Sequence, residues 1–382
     1  TNTFATPSMD SLTQIVLGAA VGEAVLGRKL GNWSLLLGAV AGTLPDLDVL
    51  ATMGSDDPVR NLQIHRAYSH SMFTHILAAF PLAWLSIFLG KRIGYLNKLN
   101  FRQTIYIYPW VRLMKNMNQA NYNFKAWYCF WFLGMFTHAL LDCGTTYGTR
   151  LLLPFTDYQV AFNNISVIDP LYTLPFLVLL IVMMCYKRGS EKRRKWFKRA
   201  WIVSSAYMLL TFGLKGIVHQ KFKNTLSRDH ITYTELNSTP TILNAILWSG
   251  IAHDKDSLHV AEYSFLRPDI PIKWVSFPRN LDLIDAYDCE ALRTYKWFSD
   301  GNYFALPVGQ DSIQFFTVKF GRMRLDTEVA DETFMFYSTF YKTQGDIIKY
   351  KSLDPSKDRG SDDEMKAYFW MLMERIGVYN RP

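Results

Sequence analysis

Residues 31–50 read "GNWSLLLGAVAGTLPDLDVL", an apolar run that ends in two carboxylates, Asp46 and Asp48. The run has the composition of a helix that crosses a membrane. A carboxylate in hydrocarbon costs about 2.5–3.5 kcal/mol even on lenient insertion scales, so a membrane segment rarely carries two of them. The stretch therefore predicts a helix in lipid whose end presents Asp46 and Asp48 to a compensating partner.

Charge is distributed unevenly along the 382 residues of the chain. Residues 1–217 contain 21 Lys and Arg against 10 Asp and Glu, a net charge of +11, whereas residues 218–382 contain 20 against 23, a net charge of −3. The basic residues of the first part lie between apolar runs, as they do in the cytoplasmic loops of membrane proteins. No groove-reading motif accompanies them, so we expect no nucleic-acid partner.

Six apolar runs organise the first part of the chain, and most are slightly shorter than the ~20 residues that span a bilayer. They lie near residues 12–27, 33–50, 72–90, 127–141, 171–186 and 201–217. We expect an α-helical integral membrane bundle of about five to six helices. Gly18 and Gly22 form a GxxxG face that favours close helix packing in the first run. The alternative is that this run is an amphipathic helix lying at the membrane interface.

Basic connections predict the orientation of the bundle. Arg28 and Lys29 lie in the first turn, residues 91–126 hold seven Lys and Arg and no acid, and residues 187–200 hold eight with one Glu. The positive-inside rule places these three connections in the cytoplasm. Everything after residue 217 is then outside, which in a bacterium means a multi-pass inner (plasma) membrane protein with a periplasmic C-terminal domain.

The character of the sequence changes near residue 218. Short β-rich runs such as "YFALPV" and "SIQFFTVKFGRMRL" alternate with turn residues, and "DDEMKAYFWMLMERIGVYN" predicts a closing amphipathic helix. We therefore expect three parts: an extension or tag at 1–8, a membrane helical domain at 9–217, and a mainly β or α+β extramembrane domain at 218–382. The four cysteines have no CxxC or zinc-finger spacing and predict no disulfide framework.

Histidine and aspartate cluster at the predicted outer ends of three segments. The members are Asp46, Asp48, His65, His70, His138 and Asp142. His138 and Asp142 are four residues apart, so a helix places them on one face. Asp46 and Asp48 flank one residue, so an extended stretch would point both toward the same ion or pair of ions. The set predicts a metal site, with His75 one turn deeper and a weaker candidate.

Mixed imidazole and carboxylate ligands favour a divalent transition metal over Ca²⁺ or Mg²⁺. We expect zinc, with manganese or iron as alternatives, and one or two ions. The absence of thiolates from the set and the surplus of candidate ligands favour a catalytic centre over a structural zinc site.

Four motifs occur in the order seen in a known family. They are "MDSLTQIVLGAAVGEAVLGRKLGN" (9–32), "GAVAGTLPDLDVL" (38–50), "HRAYSHS" (65–71) and "THALLDCGTTYGTRLLLPF" (137–155). The chain resembles the bacterial inner-membrane metal-dependent hydrolases known as the LexA-regulated membrane hydrolase family, over about residues 9–175. The resemblance implies a multi-helix membrane protein with a metal-dependent hydrolase site. It points to the six ligand candidates and adds Ser71; where many relatives have a histidine, this chain has Gln14.

These observations predict a metal-dependent hydrolase at the outer membrane boundary. The metal would lower the pKa of water from about 15.7 toward about 7. Asp48 is a candidate general base, Ser71 is a catalytic candidate from the resemblance, and Arg66 or Arg150 is a candidate to hold a phosphate or an oxyanion. A lipid ester or phosphoester is the expected substrate, and membrane lipids are the expected partners. The alternative function is a non-enzymatic metal-binding transporter or scaffold.

Overall fold

The fold is taken from a computed structural model. It describes residues 10–52, 57–98, 123–323, 330–334, 336–343, 347–352 and 362–379. The predicted extension at 1–8 and most of the basic connection at 91–126 lie outside these residues.

The helical part begins with two helices that pack backbone to backbone. Helix α1 spans Asp10–Leu30 and α2 spans Asn32–Thr43. Gly18 and Gly22 of α1 lie directly against the backbone of α2, where a methyl group at either position would meet a carbonyl oxygen. Glycine at these positions lets the two helices approach more closely than side chains would allow. The GxxxG interpretation of the first run is therefore confirmed.

Short elements follow α2 and carry the chain across one end of the helical part. They are a 3-10 helix at Pro45–Asp48, helix α3 at Val49–Thr52, helix α4 at Pro58–Ile64 and a 3-10 helix at Tyr68–His70. Helix α4 begins where Asp57 accepts a hydrogen bond from the backbone N–H of Val59, a side-chain cap of the first turn.

Four longer helices complete the helical part: α5 at Met72–Lys98, α6 at Phe124–Gly144, α7 at Pro170–Met184 and α8 at Glu191–Arg228. Helix α6 packs between α1, α2 and α5, and α7 packs along α8. Side-chain caps from Asn123, Asp169 and Ser190 fix the starts of α6, α7 and α8.

Among the described residues, two helices are long and apolar enough to cross a membrane, Met72–Lys91 and Glu191–Arg228. Helix α2 and the segment Pro45–Thr52 make a third candidate if the pair, bent by 43°, counts as one span. The structure thus supports two to three spans by length and composition. The expected five to six spanning helices stay a prediction.

The C-terminal part consists of two four-stranded antiparallel sheets. The first contains β1 (Glu235–Pro240), β2 (Leu247–His253), β3 (Ser257–Ser264) and β4 (Val275–Pro278), and the second contains β5 (Tyr303–Pro307), β6 (Ser312–Thr317), β7 (Phe336–Lys342) and β8 (Ile348–Ser352). Each sheet keeps its strands in chain order. A shared core that includes Val260, Phe277, Phe304 and Phe316 joins the sheets.

Helices α9 (Leu281–Asp285), α10 (Glu290–Ser299), α11 (Ala330–Thr333) and α12 (Asp362–Ile376) complete the C-terminal part. The expected β-rich domain with a closing helix is therefore observed. Helix α8 runs without a break through the predicted boundary at 217/218, and its last turns pack Val218 and Phe222 against β2 and β3.

Candidate metal centre

Four of the predicted ligands meet at one end of the helical part. Asp46 lies in the 3-10 helix after α2, His70 ends the second 3-10 helix, and His138 and Asp142 occupy the last two turns of α6. Each offers one ligand atom, and these four atoms all lie within 4.8 Å of one another. His70, His138 and Asp142 are at most 1 % exposed. Segments far apart in sequence thus build one compact His/Asp cluster.

The distances inside this cluster are short. The Nε2 atoms of His70 and His138 are 3.0 Å apart. Asp46 Oδ1 lies 3.4 Å from His70 Nε2 and 3.3 Å from His138 Nε2. Asp142 Oδ2 lies 3.2 and 3.3 Å from the same two nitrogens. Two imidazole nitrogens and two carboxylate oxygens therefore converge on one point.

Hydrogen bonds on the far side of each imidazole determine which nitrogen carries the proton. His138 Nδ1 lies 2.5 Å from the carbonyl oxygen of Gly42, which only accepts, so Nδ1 carries the proton. His70 Nδ1 lies 2.9 Å from Ser69 Oγ, whose own proton goes to Asp48 Oδ2 at 2.7 Å. In the neutral rings both Nε2 atoms are then lone-pair acceptors aimed into the cluster.

Four acceptors without a donor are the arrangement that a cation stabilises. Asp142 Oδ2 accepts no hydrogen bond from the described residues although it is buried. Unsatisfied buried acceptors are costly, and like partial charges at these distances repel. The donor set, two imidazoles and two carboxylates, fits a transition-metal ion better than it fits Ca²⁺ or Mg²⁺.

A surrounding layer of hydrogen bonds orients the carboxylate of Asp142. Gln14 Nε2 donates to Asp142 Oδ1 at 2.8 Å, and Arg66 Nη2 lies 3.3 Å from the same oxygen. Arg66 Nη1 also donates to Thr145 Oγ1, which donates to the backbone carbonyl of Asp142. These contacts occupy Oδ1 and leave Oδ2 facing the histidines, as outer partners of metal ligands commonly do.

Asp48 and His65 lie beside the cluster rather than in it. The segment Pro45–Asp48 is a 3-10 helix and not the extended stretch expected from sequence, so residues two apart point about 120° away from each other. Asp48 accepts hydrogen bonds from Ser69 Oγ and from the backbone N–H of Arg66, and its Oδ1 lies 3.2 Å from His65 Nδ1. Asp48 therefore pairs with His65 and Ser69 while Asp46 faces the ligands.

The remaining candidates face away from the cluster. Ser71 Oγ donates to the carbonyl oxygen of Leu153 and accepts from the N–H of Phe73, which fixes the start of α5. Arg150 donates to the carbonyl oxygen of Gln63 and stacks on the ring of Trp297.

His75 is also outside the four-residue cluster. Its Nε2 lies 2.8 Å from the carbonyl oxygen of Ser69 and donates to it. This bond supports the turn that carries His70, so His75 acts on the cluster through the backbone.

Sequence reasoning missed three partners of the cluster: Ser69 as the acceptor for His70, the Gly42 carbonyl as the acceptor for His138, and Thr145 behind Arg66. A serine next to a ligand histidine was the one visible signal. The Gly42 carbonyl has no side chain, so no residue pattern marks it.

The C-terminal domain reaches this layer through aromatic contacts. The ring of Tyr147 lies 5.3 Å from that of His65 and 5.0 Å from that of Phe298, and it lies under the guanidinium of Arg66. Burial raises the pKa of Tyr147 to about 12, so its hydroxyl stays protonated. Helix α4 packs Val59 into the core of α9, α10 and the second sheet. The C-terminal domain thus supports the residues beside the cluster.

A comparison with protein families gives one match. The model described as YdjM inner membrane protein matches residues 9–218, more than half of the chain. The match includes all four cluster residues and agrees with the resemblance to an inner-membrane family. No curated protein and no solved structure matches the chain.

Proposed function

The chain belongs to the YdjM inner membrane protein family, and from this premise we propose that it is a membrane-embedded, metal-dependent hydrolase acting on a lipid ester or phosphoester. The observation that carries the proposal is the convergence of four hydrogen-bond acceptors, from Asp46, His70, His138 and Asp142, on one buried point. We propose zinc as the ion, since two imidazoles and two carboxylates suit it, with manganese or iron as alternatives.

A bound ion would let water ionise near neutral pH and would polarise the scissile oxygen. The chain's own residues divide the remaining work. His65 is 29 % exposed at its side chain and is hydrogen-bonded through Nδ1 to Asp48, so its Nε2 is available to take or give a proton. We assign general acid–base work to this pair and give Asp48 an orienting role. The Ser71 hydroxyl donates to the backbone carbonyl of Leu153, so we give Ser71 a structural role and no catalytic one.

The surroundings of the cluster favour an amphiphilic substrate. Leu47, Leu50 and Tyr68 are 52–60 % exposed. Leu47 and Leu50 follow the partly exposed Asp46 in sequence, and Tyr68 begins the 3-10 helix that ends at His70. Apolar side chains at a polar centre suit a molecule with both a headgroup and acyl chains. Arg66 is buried beside Asp142, which favours a structural role in the cluster over contact with the lipid phosphate.

The topology supports a site at the outer face. The cluster and the C-terminal domain lie at the same ends of α6 and α8, whereas Arg28, Lys29 and the basic start of α8 lie at the opposite end. With the positive-inside rule, this arrangement supports our proposal that both the cluster and the C-terminal domain face the periplasm.

A metal-binding transporter or scaffold is the second candidate. A transporter carries polar groups within its spans, and Glu23 is a carboxylate buried within the helical part. Arg193 donates to it through Nε and Nη2 at 2.7 and 2.6 Å. A fully paired carboxylate of this kind joins α1 to α8 and offers no open ligand position, which favours the hydrolase.

Metal content tests the cluster directly. We expect the purified full-length protein to retain zinc after dialysis and the variants His70→Ala and Asp142→Asn to lose at least nine-tenths of it. His259→Ala is the matched control, because His259 hydrogen-bonds Ser276 in the C-terminal domain. Retention of metal by both cluster variants, measured by elemental analysis, would contradict the site.

Turnover separates the enzyme from the transporter. In vesicles of total bacterial lipid, we expect the wild type to consume one lipid class and His65→Gln to retain metal but lose at least tenfold in rate. Equal lipid profiles for wild type and the metal-free Asp142→Asn variant would move the assignment to the non-enzymatic candidate.

A further inference from the structure

Exposed apolar side chains form a rim on the C-terminal domain. The rim consists of Leu266, Ile270, Phe369, Trp370 and Val378, each 42–59 % exposed. The ring centroid of Trp370 lies 5.5 Å from that of Phe369 and 5.0 Å from that of Tyr379, so the three aromatic rings form one group. Gly377 lies against the side chain of Leu266, which joins the helical and loop parts. Exposed apolar clusters of this kind on a folded domain indicate a binding surface.

The rim is held at the end of the first sheet where β2 begins and β3 ends. On the inner face of α12, Leu372 and Ile376 pack on Leu247, the first residue of β2. Ser264, the last residue of β3, donates through its hydroxyl to the carbonyl oxygen of Ile376 at 2.6 Å. Leu247 and Ser264 are paired in the register of the sheet, so α12 lies across that end of the strands.

This end of the strands faces the helical part. Antiparallel pairing places the end of β1 beside the start of β2, and the hydroxyl of Thr239 near the end of β1 is hydrogen-bonded to that of Thr146. Thr146 follows the outer end of α6 by two residues. The β2–β3 turn around Lys255 lies at the opposite end of these strands, about 20–25 Å away for strands of seven and eight residues.

Helix α8 provides a second measure of height above the membrane. Trp274 donates through Nε1 to Thr225, and both Trp274 and Ile272 pack in the cluster that contains Val218 and Phe222 of α8. Residues 272–274, which closely follow Ile270, therefore lie against the stretch of α8 that comes just after the exposed Ile217. Both measures put the rim next to the outer end of the bundle.

We propose that the rim inserts into the outer leaflet of the same membrane and docks the C-terminal domain on the lipid surface. The occupant follows from the position of the rim, because the segment after Ile270 packs through Ile272 on α8, and α8 carries the exposed apolar side chains Leu210 and Ile217 just before that contact. Tryptophan and tyrosine favour the membrane–water interface, and an amphipathic helix with aromatic residues binds there in the plane of the surface. Arg267 lies against Gly377 beside Leu266, and Lys366 precedes Phe369 by one turn of α12. Basic side chains at such positions favour anionic headgroups.

Depth-dependent quenching tests this placement in the full-length protein reconstituted into phosphatidylethanolamine and phosphatidylglycerol vesicles. A genetically encoded fluorescent amino acid replaces Trp370 in one protein and Lys255 in the matched control. We expect lipids with a nitroxide near the headgroup to quench the reporter at 370 at least threefold more than the reporter at 255. Leu266 is the second reporter position if the protein labelled at 370 does not fold.

Equal quenching at positions 370 and 255 would overturn the proposal. So would a reporter at 370 that is insensitive to nitroxide lipids but changes its emission on dilution of the protein in the bilayer, because that result would identify a second copy as the occupant. Metal content is unchanged in either result, so the test is independent of the proposed hydrolase site.

Discussion

Ser69 determines which ring nitrogen of the next residue, His70, carries the proton. Its hydroxyl gives its proton to Asp48 and accepts the Nδ1 proton of His70, so the lone pair of His70 Nε2 faces the metal cluster. Relays of this kind fix the tautomer and the orientation of a ligand. The geometry of the cluster thus depends on a residue that is not one of its four members.

We expect Ser69→Ala to weaken zinc affinity by about tenfold to a hundredfold, the usual effect of removing an orienting partner. Ser71→Ala is the matched control, since the Ser71 hydroxyl bonds the Leu153 carbonyl and not the cluster. Competition with a fluorescent chelator measures both affinities. Equal affinities for the two variants would contradict the role given to Ser69.

At this scale the sequence predicted the ligands better than their directions. The spacing of His138 and Asp142 was sufficient because both lie on one helix. The directions of Asp46 and Asp48 depend on whether the backbone after Pro45 is extended or a 3-10 helix, and two residues of sequence carry too little information to decide this.

The contact between α1 and α2 depends on glycine. A methyl group at Gly22 would meet the carbonyl oxygen of Ser34, which belongs to backbone and cannot rotate away. We expect Gly22→Ala to lower the free energy of unfolding by about 1–3 kcal/mol, as other overpacked sites do. Thermal unfolding in one detergent measures the change.

Gly213→Ala is the control for this prediction, because no atom lies within 4 Å of a methyl group at that position of α8. It should raise helix stability by at most about 1 kcal/mol through the better helix propensity of alanine. A Gly22→Ala variant that is as stable as Gly213→Ala would contradict the close contact between α1 and α2.

The ion pair of Glu23 and Arg193 joins α1 to α8. Both side chains are less than 10 % exposed. Removing one partner leaves a buried charge unpaired, so we expect Glu23→Ala to cost about 3–5 kcal/mol of stability. Glu191→Ala, which breaks an exposed pair with Lys195, should change the unfolding temperature little. Similar unfolding temperatures for the two variants would contradict the burial of Glu23.

Sequence patterns located most elements but not their lengths. The β-rich run that begins at Ser312 did not indicate where its strand ends, and in the structure β6 ends at Thr317 while Val318 enters the core beside it. Helix α8 extends eleven residues beyond the apolar run that ends at 217, because its last turns bury Val218 and Phe222 against the first sheet. Tertiary packing decides such ends, and a local pattern does not contain it.

Lys319 lies where the two parts of the molecule meet. Its ammonium donates to the backbone carbonyls of Tyr147 and Phe298 and to the side-chain oxygen of Gln159. Burial lowers the pKa of Lys319 to about 7, and the nearby Asp300 opposes this shift only in part. The protonated form is therefore less favourable in the folded protein than in the unfolded chain.

This shift makes stability depend on pH. Between about pH 7 and about pH 10.5 the unfolded chain binds a proton that the folded protein releases, so the free energy of unfolding rises with pH, by at most about 1.4 kcal/mol per unit. Below about pH 7 both states are protonated and the contribution is constant. Lys319→Met should remove this part of the slope, which denaturant titrations across this range measure; parallel profiles for variant and wild type would contradict it.

The association between the C-terminal domain and the helical part was not predictable from the sequence. The change from long apolar runs to short β-rich runs separated the two parts near residue 218. Nothing in either pattern indicated that α4 would pack against α10. The contacts are single side chains distant in sequence, such as Gln63 with Thr294 and Tyr350 with Asp57. Pairs like these become visible only once both parts are folded.

The order of the ligands along the chain has a consequence for biosynthesis. Asp46 and His70 leave the ribosome well before His138 and Asp142, so the cluster cannot be completed until α6 has been synthesised. Domains fold in the order in which they are synthesised, and the C-terminal domain that packs on α4 and Tyr147 comes last. In the proposed metalloprotein, an ion would have its freest access between the synthesis of α6 and the docking of the last domain, so metal supply during translation would affect how much mature protein carries an ion.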